Sequence, residues 1–252
     1  MDDATLAARQ LAGQMAAFEH NMGSAGRVLR PAPGVLATIV AAVPERSLPN
    51  SVVYADAAAL TDDVLDELQA RYDEAGVCAW TVWTRPGDEA LSDRLVARGH
   101  VHDGQPALMA GELEAMDLVP RAELEWEGAP SWELVGHLND RAYGLDGEFA
   151  RLGALQRDTR TVPWVARVDG APAACAGVLC ADGNAEVWMV AVVPEARGRG
   201  LSAELLRHAL SAAREAGATT TTLEASAMGE PVYRRLGYRE LGRIHMWERR
   251  RA

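Results

Sequence analysis

The chain has 252 residues, 48% of them hydrophobic, which is enough to bury a core in one large domain or in two small ones packed together. Its formal charge of −11 argues against a general nucleic-acid binder, because such proteins need a basic surface to displace counterions from phosphates, and it favours a cationic small molecule or peptide as partner. No apolar stretch is long enough to span a membrane, the first residues lack the positive charge of a signal peptide, and the three cysteines suit neither a disulfide framework nor a metal site, so we expect a cytoplasmic protein.

The first half of the chain is predicted to form one βαβα unit behind an opening helix. Apolar residues recur at helical spacing from Leu11 to Met22, which predicts an amphipathic helix over residues 3–22 that Gly23 ends. The elements predicted after it are, in chain order, the strands Gly34–Val43 and Ser51–Ala55, the helix Leu60–Tyr72, the strand Val77–Trp83, the helix Asp88–Arg98 and the strand Ala107–Leu113.

A second unit is predicted to begin near Val119, so that the two domains are residues 1–119 and 120–252. Within it, Asp169 and Gly170 suit the positive backbone angles of a tight hairpin turn. The elements predicted there are a β-like opening at Asp117–Trp126, the helices Ser131–Tyr143 and Gly147–Leu155, the strands Val162–Val168, Pro172–Cys180 and Ala185–Val193, the helix Gly200–Ala216, the strand Thr219–Glu224, the helix Pro231–Leu236 and a strand pairing within Tyr238–Glu248.

The stretch Glu186–Ser202 carries the clearest chemical signal. It predicts a buried strand, a loop that alternates arginine with glycine, and a helix that begins directly after the loop. Gly198 and Gly200 let the backbone come close to a phosphate, and the free amides and dipole of the helix N-terminus favour negative charge. Arg197 and Arg199 can add charge-assisted contacts. The alternative is a plain tight turn, but the position between strand and helix favours an anion cradle.

This loop resembles the acetyl-CoA-binding signature of the GNAT superfamily of N-acetyltransferases, Arg/Gln-x-x-Gly-x-Gly/Ala. Arg197, Gly200 and Ser202 match it, with serine in place of the last glycine or alanine. A second segment, in which Tyr233 precedes a Gly-Tyr pair, is similar to a later part of the same family. The resemblance extends over roughly residues 124–248. The two motifs occur in the order and at the spacing that the family shows.

The resemblance implies an α/β GNAT fold, in which helices flank a mixed central sheet, and transfer of an acetyl group from acetyl-CoA to a primary amine. Ser226 stands where the family often has a cofactor-binding asparagine. The residues that the resemblance places around acetyl-CoA are Val190, Val192, Arg197, Gly198, Arg199, Gly200, Leu201, Ser202 and Ser226.

The same resemblance assigns the two proton-transfer roles of a direct attack in a ternary complex. Tyr233 is expected to protonate the departing thiolate, and Glu186 is expected to deprotonate the amine. Glu186 has an alternative role as a solvated carboxylate at the end of a strand, and Glu224 and Glu230 are rival bases.

Residues 28–119 repeat the order of strands and helices without an Arg-x-x-Gly-x-Gly loop. We interpret them as a degenerate GNAT-like lobe of a tandem protein, with an unrelated α/β extension as the alternative. The competing function is a binding protein that senses acyl-CoA or another ligand with turnover lost. The sequence leaves the amine unidentified and is compatible with a monomer or a homodimer.

Overall fold

Residues 1–251 are described by the computed structural model, which contains two mixed β-sheets with helices packed on their faces. The elements of the first half are α1 (Asp3–Ala17), α2 (Gly23–Ala25), β1 (Arg27–Leu29), β2 (Val35–Ile39), β3 (Ser51–Tyr54), α3 (Asp62–Glu74), β4 (Ala79–Thr84), α4 (Glu89–Ala97), β5 (Val101–Gly104) and β6 (Ala107–Glu112). The elements of the second half are β7 (Glu125–Gly128), α5 (Trp132–Tyr143), α6 (Glu148–Leu155), β8 (Thr161–Val168), β9 (Ala171–Ala181), β10 (Asn184–Val192), α7 (Leu201–Glu215), β11 (Thr220–Ala225), α8 (Glu230–Leu236), β12 (Arg239–Arg243) and β13 (His245–Arg250).

The predicted helices and strands are present with shifted ends, but β7 begins only at Glu125, and β12 and β13 pair in different sheets and not with each other. The sequence analysis missed β1 and β5, because they are short and carry no continuous apolar run. The hairpin turn between β8 and β9 is confirmed, since Asp169 and Gly170 both have positive φ angles, 52° and 77°.

The two sheets exchange one strand each. The first has the order β1-β2-β3-β4-β13-β5, and the second has the order β12-β6-β11-β10-β9-β8-β7. β13, from the end of the chain, lies between β4 and β5, whereas β6, from the first half, lies between β11 and β12. The domain boundary near residue 119 stays a prediction, but neither 1–119 nor 120–252 contains a whole sheet.

The opening helix differs from its prediction. α1 ends at Ala17, a π-helical turn follows over Phe18–Met22, and Gly23 opens the short helix α2 instead of ending the first one. α1 packs across β10 and β11 of the second sheet, although it precedes them by more than 160 residues. The start of the chain therefore covers part of the second lobe.

Aromatic side chains join the lobes. Phe18 meets Trp83 of the first sheet edge-on, with ring centroids 5.7 Å apart, and Trp188 of the second sheet at 5.3 Å. All three are buried in one apolar cluster. This cluster sets the position of α1 over the second sheet.

Gly13 is the point of closest approach between α1 and that sheet. A Cβ atom at this position would lie 2.5 Å from Glu186 Oε2 and 2.9 Å from Thr222 Oγ1. We expect Gly13→Ala to lower the free energy of unfolding by about 1–3 kcal/mol, because overpacking outweighs the roughly 1 kcal/mol that alanine contributes as a helix former. Urea unfolding of both proteins measures the change, and a more stable variant would contradict this packing.

Candidate active site

The parallel strands β10 and β11 separate part of the way along their length. They pair only from Asn184 to Glu186, opposite Thr220–Thr222. β10 then has an irregularity between Trp188 and Ala191, where Met189 adopts a positive φ of 55°. Such a bulge bends the strand and leaves an opening beside its neighbour. Val190 and Val192, which the family resemblance places beside acetyl-CoA, lie on β10 at this separation.

Two buried side chains stabilise the bulge by hydrogen bonds to its backbone. Asn139 Nδ2 donates to the backbone carbonyl of Met189 at 3.3 Å, and Cys175 Sγ donates to the same oxygen at 3.4 Å. Burial raises the pKa of the Cys175 thiol to about 12, so it keeps the proton that it donates. A positive φ in a residue other than glycine costs about 1–3 kcal/mol, and these bonds compensate for it. No sequence motif pointed to Asn139 or Cys175.

The loop before α7 presents a row of free backbone amides. None of the six consecutive N–H groups from Gly198 to Ala203 has an acceptor within residues 1–251; the next one, of Glu204, donates to the Gly200 carbonyl. Gly198 and Gly200 have φ angles of 76° and 75°, which turn the chain so that the amides converge. The arrangement is that of an anion site at a helix N-terminus.

The two loop arginines have different surroundings. Arg197 holds the loop to neighbouring backbone, because its Nη2 donates to the Ala142 carbonyl at 2.6 Å and its Nε to the Val192 carbonyl at 3.3 Å. Arg199 is exposed and has no acidic partner in the described part of the chain. Arg199 is therefore the arginine that can reach an outer phosphate.

Val190 and Val192 border the opening on the β10 side. The N–H of Val193 donates to the Ala173 carbonyl of β9. Because successive N–H groups of a strand point to opposite sides, the N–H of Val192 points away from β9 and into the separation. The hydroxyl of Tyr143, the last residue of α5, donates to the Val190 carbonyl at 3.4 Å. Sequence analysis missed Tyr143, which stands at the helix end beside the opening.

Tyr233 lies on α8, on the far side of the same opening. Its ring packs edge-on against Tyr238 at 5.8 Å and is 8% exposed, and its hydroxyl has no hydrogen-bond partner among residues 1–251. Burial, and then the nearby Tyr143, raise the pKa of Tyr233, so its hydroxyl stays protonated at neutral pH. An unpaired O–H group beside the opening is available to donate a proton.

Ser226 caps a turn. It is exposed at the end of β11, and its Oγ accepts a hydrogen bond of 3.3 Å from the backbone N–H of Gly229. A contact of Ser226 with the cofactor stays a prediction.

Glu186 is 1% exposed, so its alternative role as a solvated carboxylate is wrong. Thr222 Oγ1 donates a hydrogen bond to Glu186 Oε2, and Glu186 Oε1 accepts no hydrogen bond from the described residues. Burial first, and then the neighbouring carboxylate of Glu224, raise the pKa of Glu186 well above its ordinary value. α1 covers Glu186 through the close contact at Gly13. The sequence did not predict this contact, because Gly13 and Glu186 are 173 residues apart in the chain.

The rival carboxylates differ from each other. Burial raises the pKa of Glu224 to about 7, while Arg85 opposes the shift; Gln10 Nε2 donates to Glu224 Oε1 at 2.5 Å. Glu230 instead forms ion pairs of 2.9 Å with both Arg234 and Arg243, which lower its pKa. Glu224 therefore has the pKa of a general base near neutrality, whereas Glu230 is occupied by two arginines.

The predicted site residues form two groups. The amide row, Val190, Val192 and Tyr233 border the opening between β10 and β11, whereas Glu186 lies where these strands still pair. In the described part of the chain, no cluster of three or more metal-ligating side chains occurs. Nor does any described helix combine the length and apolar character needed to cross a membrane.

A family model described as Acetyltransferase (GNAT) domain matches residues 159–240, which include β10, the amide row and Tyr233. No curated protein sequence is significantly similar to the chain.

Solved structures similar to the whole chain include a GCN5-related N-acetyltransferase from Kribbella flavida, with a TM-score of 0.70, 22% identity and coverage of 96% of this chain and 95% of that chain. A conserved protein of unknown function from Staphylococcus epidermidis has a TM-score of 0.66, 16% identity and coverage of 90% and 95%. A tandem GNAT protein from the clavulanic acid biosynthesis pathway has a TM-score of 0.55, 16% identity and coverage of 96% and 95%. These likenesses confirm the α/β GNAT fold and its two-lobed arrangement.

Proposed function

We propose that the chain transfers an acetyl group from acetyl-CoA to a primary amine of a small molecule or peptide, because the GNAT acetyltransferase family model matches residues 159–240. The observation that carries the proposal is the row of six backbone N–H groups from Gly198 to Ala203, which have no acceptor in the described chain and stand at the start of a 15-residue helix. A pyrophosphate supplies the acceptors and the negative charge that such a row lacks.

In this proposal the amides of Gly198–Ala203, with the side chain of Arg199, hold the phosphates. Acetyl-CoA supplies an activated thioester. The N–H of Val192, which points into the separation between β10 and β11, is placed to polarise the thioester carbonyl as a single-donor oxyanion site. Tyr233 is proposed to donate the proton that the leaving sulfur needs.

The base is proposed to be Glu186, with Glu224 as its rival. An alkylammonium must lose a proton before it can attack, and a carboxyl group with a raised pKa is a better proton acceptor once it is ionised. Glu186 keeps one oxygen without a donor, so that oxygen is free to accept a proton, directly or through water.

We propose that the N-terminal lobe holds no second acetyl-CoA. In its parallel pair, β3 and β4, the first strand is followed by α3, whose first turn carries Asp62 and Asp63 and whose Val64 N–H is capped by the Thr61 side chain. Two carboxylates at a helix N-terminus repel a phosphate. We expect calorimetry with CoA to give one site per chain, and two equivalent sites would contradict this assignment.

Tyr233→Phe is expected to lower kcat and leave acetyl-CoA affinity nearly unchanged, because it removes only a proton donor. The loss should persist at high pH and shrink with a more acidic leaving thiol, which needs less protonation. The matched control is Tyr238→Phe: its hydroxyl lies 2.7 Å from Thr221 Oγ1 in the core, so its loss should lower stability more than turnover. Unchanged turnover in Tyr233→Phe would make Tyr233 a packing residue.

The competing function is an acyl-CoA-binding protein without turnover, and the observation that favours it is the burial of Glu186 beneath α1. A thiol-release assay with acetyl-CoA and a panel of amines separates the two. We expect amine-dependent release of CoA. CoA binding without release for any amine would instead support the binding protein.

A further inference from the structure

A cavity of about 260 Å³ lies in the N-terminal lobe, away from the site described above. It is half open to solvent and is lined by residues of α3, of the segment that follows α4, and of the strands β4 and β13. Trp80 belongs to the apolar core between this sheet and α3, whereas Trp83, on the opposite face of β4, belongs to the cluster that joins the lobes. The sheet therefore separates the cavity from the opening between β10 and β11.

Trp80 lines the cavity and has an unpartnered donor. The residue is 2% exposed, its ring stacks on Tyr72 at 4.7 Å, and the His100 ring meets it edge-on at 4.7 Å. Its Nε1–H has no acceptor within the described chain. The nitrogen atom is closed to solvent, so the N–H is a reporter of binding beside the cavity and not a contact of the ligand.

Three charged side chains line the cavity, Asp66, Arg98 and Arg249, and they leave one positive charge in excess; Asp62, which does not line it, is also paired with Arg94 at 3.6 Å. Arg98 forms ion pairs with Asp66 and, at 3.4 Å, with Asp62. Arg249 donates to the backbone carbonyl of Arg98 and has no carboxylate partner among residues 1–251, although the protein carries 36 acidic residues against 25 basic ones. The Arg249 guanidinium therefore retains donors for a further acceptor.

His100 adds an acceptor and no charge. Its Nδ1 lies 3.1 Å from the Trp247 carbonyl, which only accepts, so this nitrogen carries the proton and Nε2 has the free lone pair. Burial, with the Arg249 and Arg98 guanidiniums, lowers the pKa of His100 to about 4, so the ring is neutral at pH 7.

We propose that this cavity is a second ligand site, which binds a small organic monocarboxylate with its anionic group on Arg249. A carboxylate matches the single uncompensated charge and forms paired hydrogen bonds with a guanidinium. A phosphate dianion is a poorer match, because the carboxylate of Asp66 also lines the cavity and repels the second negative charge.

Indole signals in a ¹H–¹⁵N correlation spectrum of the full-length protein test the site. The seven tryptophans give one side-chain N–H signal each, and Trp80→Phe identifies the signal of Trp80. The probes are benzoate, benzamide and benzylamine, which share a ring and differ in charge, and inorganic phosphate. We expect benzoate to shift the Trp80 signal saturably at concentrations up to about 10 mM, and the other three to leave it nearly unmoved.

Arg249→Met should weaken benzoate binding by about tenfold or more, because the charge-assisted pair is lost. The matched control is Arg214→Met, on the exposed side of α7, which should bind benzoate as the parent does. Thermal unfolding checks that each variant is folded, and CoA titration checks the other lobe separately. The proposal is overturned if benzoate gives no saturable shift, if benzamide or phosphate binds equally well, or if folded Arg249→Met keeps the parent affinity.

Discussion

Glu186→Gln is expected to lower kcat/KM by roughly 10²- to 10⁴-fold at neutral pH, the usual range for loss of a general base. The amide has nearly the shape of the carboxyl group and leaves the contact with Gly13 in place, so the change removes proton transfer with little loss of packing. Higher pH should partly restore the rate by supplying free amine. Steady-state kinetics between pH 6 and 10 measures both effects.

The pH dependence has a defined sign. Burial raises the pKa of Glu186 and that of Glu224, so at low pH the base is protonated and kcat/KM should rise as pH increases through the raised pKa of the base. Stability should change in the opposite direction. Between the ordinary glutamate pKa and the raised one, the native state binds more protons than the unfolded state, so its free energy of unfolding falls as pH rises. In Glu186→Gln or Glu224→Gln, the free energy of unfolding should depend less on pH in this range.

Glu224→Gln is the companion variant that assigns the base. If Glu186 is the base, Glu224→Gln should cost much less activity, because it only removes a neighbouring carboxylate that interacts with Arg85 and Gln10. The reverse pattern, with a large loss in Glu224→Gln and a small loss in Glu186→Gln, would transfer the role to Glu224. Parent rates in both variants would mean that neither carboxylate takes the proton.

Gly200→Val is expected to weaken CoA binding by at least about 100-fold, and the cause lies in the backbone. Gly200 has a φ of 75°, and a β-branched residue there is strained. Relief of that strain turns the N–H groups of residues 198–203 away from one another and breaks the amide row. Isothermal titration with CoA measures the loss.

Gly217→Val is the matched control. Gly217 follows the other end of α7 with a φ of 98°, and a Cβ at either glycine meets no atom within 4 Å. Both variants therefore place the same side chain at a left-handed position at an end of the same helix. Gly217→Val should lose stability and keep CoA affinity. Equal affinity losses in the two variants would mean that the phosphates bind away from Gly200.

The element order and the amide row could be predicted because their causes are local in sequence. Gly200, the strand before it and the helix after it determine how the chain turns over Arg197–Ser202. This turn does not depend on the rest of the fold. The hairpin at Asp169-Gly170 was predicted correctly for the same reason, since two adjacent residues that tolerate positive φ suffice. The proton-transfer roles of Glu186 and Tyr233 came from the family resemblance and stay predictions.

What only the tertiary structure decided rests on contacts between residues distant in sequence. β13 lies in the first sheet and β6 in the second, because the strands that pair with each of them belong to the other half of the chain. The hydrophobic periodicity of the sequence does not predict which strands pair. Glu186, for which the sequence analysis left a base and a solvated carboxylate as alternatives, is buried because Gly13, 173 residues earlier, allows α1 to lie directly on it. Burial, and with it the raised pKa, depends on what packs against a residue; the sequence by itself determined where the chain turns and which residues share a strand or a helix face.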